Sequence, residues 1–228
     1  MPKSSGLPLL IIGGVVLAAL ALRPKSQTLT PEGSRVGGGF WPQGDISPRQ
    51  GPVGWGGVGR IEVFPVTPTS SETVEHVSAE MLTQAATSRE VEALAEQILA
   101  EANLPFQPTL EAARALHRFV NERMPYVADP PDFEHMEDPG SQAAKVLNGE
   151  WPAPSDCDDR ALLLSAMCSS VGFSASGCFL DVDGDGVIDH AMAQINVPGH
   201  GPLMAETTVP GKELGWSPPY AFMECLGV

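Results

Sequence analysis

The sequence predicts an α+β fold, and three observations carry that expectation. Helix-period patterning fills residues 71 to 120, a nearly all-apolar helix opens near Cys157, and beyond Gly172 the apolar period changes to two. Helices followed by strands are the pattern of a helical layer packed on an antiparallel sheet. A chain of 228 residues suffices for one domain of ordinary size with extensions. Its 24 glycines and 22 prolines are densest in the first seventy positions, which predicts an extended leader before a compact domain. The expected division is a membrane anchor or signal segment over 1–25, a Gly/Pro-rich tether over 26–70, and a folded domain over 71–228. A formal net charge of −15 argues against a nucleic-acid partner, because counterion release needs a basic face.

Gly6 to Leu22 is an uncharged apolar run with Lys3 before it and Arg23 and Lys25 after it. As a helix it reaches about 25 Å, the short limit for crossing a bilayer. Ala19-Leu20-Ala21 offers a small-x-small cleavage site, so secretion after signal cleavage is the alternative. The basic residues just beyond the run disfavour cleavage there, and an uncleaved anchor through residues 6–22 is the expectation. Within the tether, Ile61 to Val66 reads as a short edge strand.

Glu72 to Ala86 and Ser88 to Ala102 read as amphipathic helices, with Ser88 capping the second. Pro105 and Pro108 break the run. Thr109 then caps a third helix whose stripe is Leu110, Ala113, Leu116, His117 and Val120. His117 on that stripe reads as a packed or surface histidine rather than a catalytic one. After Pro125-Tyr126-Val127 the stretch to Gly140 reads as an acidic loop at a cleft border, with His135 solvated, leading to a short helix over 142–147.

Pro154 to Gly172 reads as one helix with a cysteine in its first turn. Ser155 or Asp156 is placed to cap it, and Gly172 supplies the stop. A cysteine there gains from the helix dipole and the first-turn amides. Asp156, Asp158 and Asp159 oppose a thiolate, so a reactive Cys157 needs a cation from elsewhere, most naturally an imidazolium. Cys168 reads as core. Cys178 and Cys225 are the pair available for a disulfide in an oxidising compartment, which spacing does not decide.

Ser174 to Val182 and Ile188 to Val197 read as strands joined by Asp183-Gly184-Asp185-Gly186. In the second, His190, Met192, Gln194 and Asn196 share one face, expected to be the wetter one. Pro198-Gly199 as a two-residue turn would lay Leu203 to Val209 back antiparallel and put Glu206 opposite Ala191, one register off His190. A bulge at Gly201-Pro202 would bring the carboxylate to the imidazole. Asp181, Asp183, Asp185 and Asp189 imitate the start of a calcium loop, but Met192 stands where the closing glutamate belongs. The plain acidic hairpin is favoured over a calcium site, and no cofactor is expected to be required.

Cys157, then His190, then Glu206, with Asp-Cys-Asp-Asp-Arg-Ala-Leu-Leu-Leu and Glu-Thr-Thr-Val-Pro-Gly around two of them, resembles the transglutaminase-like cysteine peptidase superfamily over about residues 109 to 217. The closing Glu-Thr-Thr-Val-Pro-Gly-Lys-Glu-Leu-Gly-Trp is most similar to bacterial and phage members. The resemblance implies a papain-like core, the cysteine helix packed on an antiparallel sheet, with Cys157 as nucleophile, His190 as general base and Glu206 as orienting acid. The family usually has aspartate at the position of Glu206 and glycine at that of Ser155. The amide of Cys157, with Tyr126 or Trp151, is the candidate set of oxyanion or cleft residues. The expected activity is cysteine acyl transfer on peptide or glutaminyl amides of a protein or peptide substrate, hydrolysis favoured over crosslinking, by a protein tethered to a bacterial envelope or virion membrane. The alternative is a catalytically silent structural or binding module of such a membrane.

Overall fold

The computed structural model describes residues 61–65, 70–130, 132–152 and 154–227. The expected anchor and almost all of the expected tether lie outside them. Among the described residues no helix is long and apolar enough to cross a membrane.

The architecture is α+β, with five α-helices and two antiparallel sheets among the described residues. Strand β1 (Ile61–Pro65) is followed by α1 (Ser70–Ala85), α2 (Arg89–Glu101) and α3 (Leu110–Arg118), which continues into a π-helical turn over Phe119–Arg123. Ser88 and Thr109 cap α2 and α3 as their side-chain oxygens suggested, accepting from the amides of Val91 and Ala112. Next come β2 (Phe133–Glu137), α4 (Pro139–Leu147) and α5 (Cys157–Val171). The remaining strands are β3 (Ser174–Asp181), β4 (His190–Val197), β5 (Gly201–Ala205) and β6 (Phe222–Gly227), paired in the order β5-β4-β3-β6.

Helix α5 is the axis of the molecule. Every residue from Cys157 to Cys168 is buried, because the helix packs on β3 and β4 and also touches α1, α2, α3 and α4. Its largest apolar side chains, Leu163, Leu164 and Met167, join Leu94, Leu99 and Leu116 from the helical layer and Ala193, Ile195 and Val197 from β4 in one core. The core-facing residues of β4 are thus 191, 193, 195 and 197, the alternation its sequence shows. Gly177 permits the close approach, since a Cβ there would meet Leu162 Cδ2 at 3.3 Å. Gly172, at φ 100°, ends the helix in the left-handed conformation that glycine adopts freely.

Four expectations need correction. Neither Ser155 nor Asp156 caps α5 through its side chain: Asp156 holds the cap position without such a bond. Ser155 lies one residue too early, its backbone paired with Val127. The acidic loop contains β2, which pairs with β1, and α4 starts at Pro139 with Asp138 as its cap. His135 is therefore not solvated: it is mostly buried, with its ring beside Asp159. The third correction concerns register. Val197 faces Gly201, so the β4–β5 connection has three residues rather than two. The fourth concerns the face shared by His190 and Met192, which is drier than expected: Cys178, Leu180 and Met192 form a small buried cluster there, and β6, absent from the sequence reading, contributes Met223 and Cys225.

Candidate active site

The three-residue connection does the work assigned to a bulge. Extending the observed β4–β5 register by one step sets Glu206 opposite Met192, on the face that carries His190. Glu206 Oε2 and His190 Nε2 lie 2.7 Å apart. The thiol of Cys157 is near enough to raise the pKa of the imidazole together with Glu206. With Nε2 occupied by the carboxylate, Nδ1 is the nitrogen left for sulfur. Cys157 itself packs on Phe179 and Ala191, the cross-strand pair next to that of Leu180 and His190. Three residues widely separated along the chain thus meet at the start of α5.

Each group is held from behind. Glu206 is fully buried, and its second oxygen accepts from the amide of Thr208 at 2.5 Å and its hydroxyl at 2.7 Å. Burial opposes charge on both partners, yet their mutual bond outweighs it. Glu206 is drawn down to about 2 by His190 and Thr208, and His190 is raised to about 10 by Cys157 and Glu206. The ring is therefore an imidazolium at neutral pH in this geometry.

The carboxylates near the sulfur are equally concrete. Ligand atoms of Asp156, Cys157 and Asp158 lie within 4.8 Å of one another, and both aspartates are buried. Asp159 turns away, its Oδ1 accepting from the amide of Glu137 at 2.8 Å. Burial pushes Asp159 up to about 7, against the pull of His135.

Tyr126 and Trp151 are exposed, at 49% and 44%. Tyr126 precedes the Val127–Ser155 bridge, which ties its segment two residues ahead of the cysteine. Trp151 stands beside Phe119, with ring centroids 6.3 Å apart. Asp181, Asp183 and Asp185 converge within 4.8 Å. Their oxygens fold the hairpin: Asp181 accepts from Gly184 and Gly186, Asp183 from Asp185, and Asp185 from Val187. Asp189 is outside that group and accepts from Val182. Such side-chain-to-backbone bonds account for an acidic hairpin without a cation.

Sequence reading missed three supports of the site. His117 Nε2 lies 2.7 Å from the carbonyl of Glu206. Asn121 bonds the same carbonyl and that of Val209, and Arg160 bonds carbonyls of Val120, Asn121 and Met124. A signal was present, because His117 and Asn121 are four apart on an otherwise apolar helical stripe, where buried polar groups need partners.

No family model matches the chain, and no curated protein matches it in sequence. Among solved structures, the arylamine N-acetyltransferase from Mycobacterium abscessus is remotely similar in fold, with a TM-score of 0.34 and 20% identity. The match covers 56% of this chain and 46% of that one, so the chain spans less than half of the enzyme it resembles.

Proposed function

We propose that the protein is a cysteine acyl-transfer enzyme with a transglutaminase-like core, acting on peptide or glutaminyl amides through Cys157, His190 and Glu206. The observation that carries the reading is one imidazole hydrogen-bonded to a buried carboxylate and raised in pKa by the neighbouring thiol at the start of a buried helix. Cys157 sulfur, having given its proton to His190, attacks the carbonyl carbon. His190 passes the proton to the departing amine as the tetrahedral adduct collapses to a thioester. It then takes a proton from water, whose oxygen displaces the sulfur and releases the acid. Glu206 keeps the ring oriented and stabilises its charged form. The amide of Cys157 is the first oxyanion donor in this scheme, with Tyr126 or Trp151 at the cleft. An amine in place of water gives crosslinking; hydrolysis is preferred because water is always present. The anchor over residues 6–22 would hold the enzyme on a bacterial envelope or virion membrane.

One observation favours a silent binding module instead, namely the two buried aspartates packed around the sulfur. Alkylation of Cys157 by iodoacetamide across pH separates the two readings. The enzyme predicts fast alkylation at pH 7 that drops at least tenfold in His190→Ala, on the order of a lost general-base partner. Equal rates in both proteins would sink the enzymatic reading.

A further inference from the structure

Asn121 is 4% exposed and uses its whole side chain on one short stretch of backbone. Its amide nitrogen donates to the carbonyls of Glu206 at 3.0 Å and Val209 at 2.9 Å. Its oxygen accepts from the amide of Gly211 at 3.1 Å. These bonds bracket Thr208, the residue whose amide and hydroxyl both grip Glu206 Oε1. The Glu206 carbonyl takes a second bond from His117 Nε2, which must carry the proton since it faces an acceptor. Burial keeps His117 below its ordinary value, consistent with a neutral ring that donates from Nε2.

The placement of Asn121 is itself unusual. It lies in the π-helical turn Phe119–Arg123, a distortion that recurs at functional sites. The Asn121 carbonyl is bonded by Arg160, which sits three residues after Cys157 on α5. A single residue thereby links the helix bearing the sulfur to the turn bearing the carboxylate.

We infer that Asn121 is a positioning residue that fixes the backbone over 206–211 and thereby the contact between Glu206 and His190. A glutamate has one more rotatable bond than an aspartate, so its carboxylate needs an anchored backbone and an anchored second oxygen to hold one geometry. Asn121 supplies the first and Thr208 the second. The inference rests on the triad reading above.

The experiment is a double-mutant cycle on the full chain, using Asn121→Ser, Glu206→Gln and the pair. It reads the pH profile of Cys157 alkylation by iodoacetamide and the NMR titration of the His190 ring. If Asn121 acts through Glu206, each single variant lowers the rate at pH 7 by roughly tenfold and moves the His190 titration down by about one pH unit or more. The pair then does little more than Glu206→Gln alone. Effects that multiply in the pair, or an unchanged His190 titration in folded Asn121→Ser, overturn the inference. If Glu206→Gln changes neither readout, the triad reading itself fails, which is a separate outcome. Asn121→Asp, which keeps the acceptor for Gly211 and gives up both donors, serves if the serine variant does not fold. Failure of both to fold also overturns the inference, because Asn121 would then hold the fold rather than the carboxylate.

Discussion

His190 and Glu206 show how a buried pair is kept charged. Removing both groups from water opposes ionisation, and one 2.7 Å contact with Thr208 behind it reverses the balance. The consequence for stability has two limbs. His190 rises from its ordinary 6.5 to about 10, so its contribution is complete below 6.5 and lost as pH climbs through 10. Glu206 falls from 4.5 to about 2, so its contribution is complete above 4.5 and lost as pH drops through 2. Urea denaturation of wild type and Glu206→Gln should therefore differ most between pH 4.5 and 6.5 and converge towards both extremes. Cys157's share of the histidine shift is present in both proteins and cancels from the difference. A difference that stays flat from pH 3 to 10 would mean the pair is not charged in the folded protein. Asp159 runs the other way: burial raises it from 3.8 to about 7, so it favours folding less as pH climbs between those values.

Arg160 governs how the helical layer meets the cysteine helix. The last turn of a helix leaves carbonyls without intrahelical donors, and here the guanidinium takes those of Val120, Asn121 and Met124. It is 2% exposed, and burial lowers it to about 10, still charged at neutral pH. Replacing it by methionine keeps the bulk and strips three buried acceptors of their donor. The expected loss is roughly 3 kcal/mol or more by denaturant titration, since a single unsatisfied buried group already costs about 1–3 kcal/mol. A loss below 1 kcal/mol would show that water or a shift of the π-helical turn replaces the bonds. Arg160 also marks the limit of what the sequence makes legible. The apolar run after it, Gly172 at its end and the alternation in β4 are local patterns, and all three hold in the structure. The burial of the charged first turn is not legible locally, because it depends on partners up to forty residues away. Strand β2 hides for the same reason: Glu137 is buried against Lys145 and Ser141, and a string of acids looks like a loop until those partners are placed. The meeting of His190 and Glu206 was readable, but its cause was not. His200 joins Pro198 and Gly199 in the connection, and one residue more or fewer there moves every side chain of β5 to the other face.

The chain closes on itself through Cys178 and Cys225, bonded across neighbouring strands β3 and β6. The closed segment contains His190, Glu206, Thr208 and the turn that Asn121 holds, while Cys157 and α5 lie outside it. Among the described residues, strand β6 is an edge strand of the sheet, paired with β3 alone. His190 and Glu206, two of the three proposed catalytic residues, thus ride on a loop whose far end would otherwise depend on edge pairing and on Ala221 bonding Asp181. Closing a loop of 47 residues stabilises the fold by about 4 kcal/mol in the chain-entropy account. Reduction by dithiothreitol, checked by mass, should lower the melting temperature by roughly 10 °C. Amide exchange in β6 and in the 209–221 connection should quicken before that of α5, since the helix is buried on all sides without help from the bond. Such a bond persists in an oxidising compartment. Protein purified from its native source without reductant should therefore carry it formed, whereas two free thiols and an unchanged melting temperature would place the chain in a reducing compartment and leave the sheet standing on packing alone.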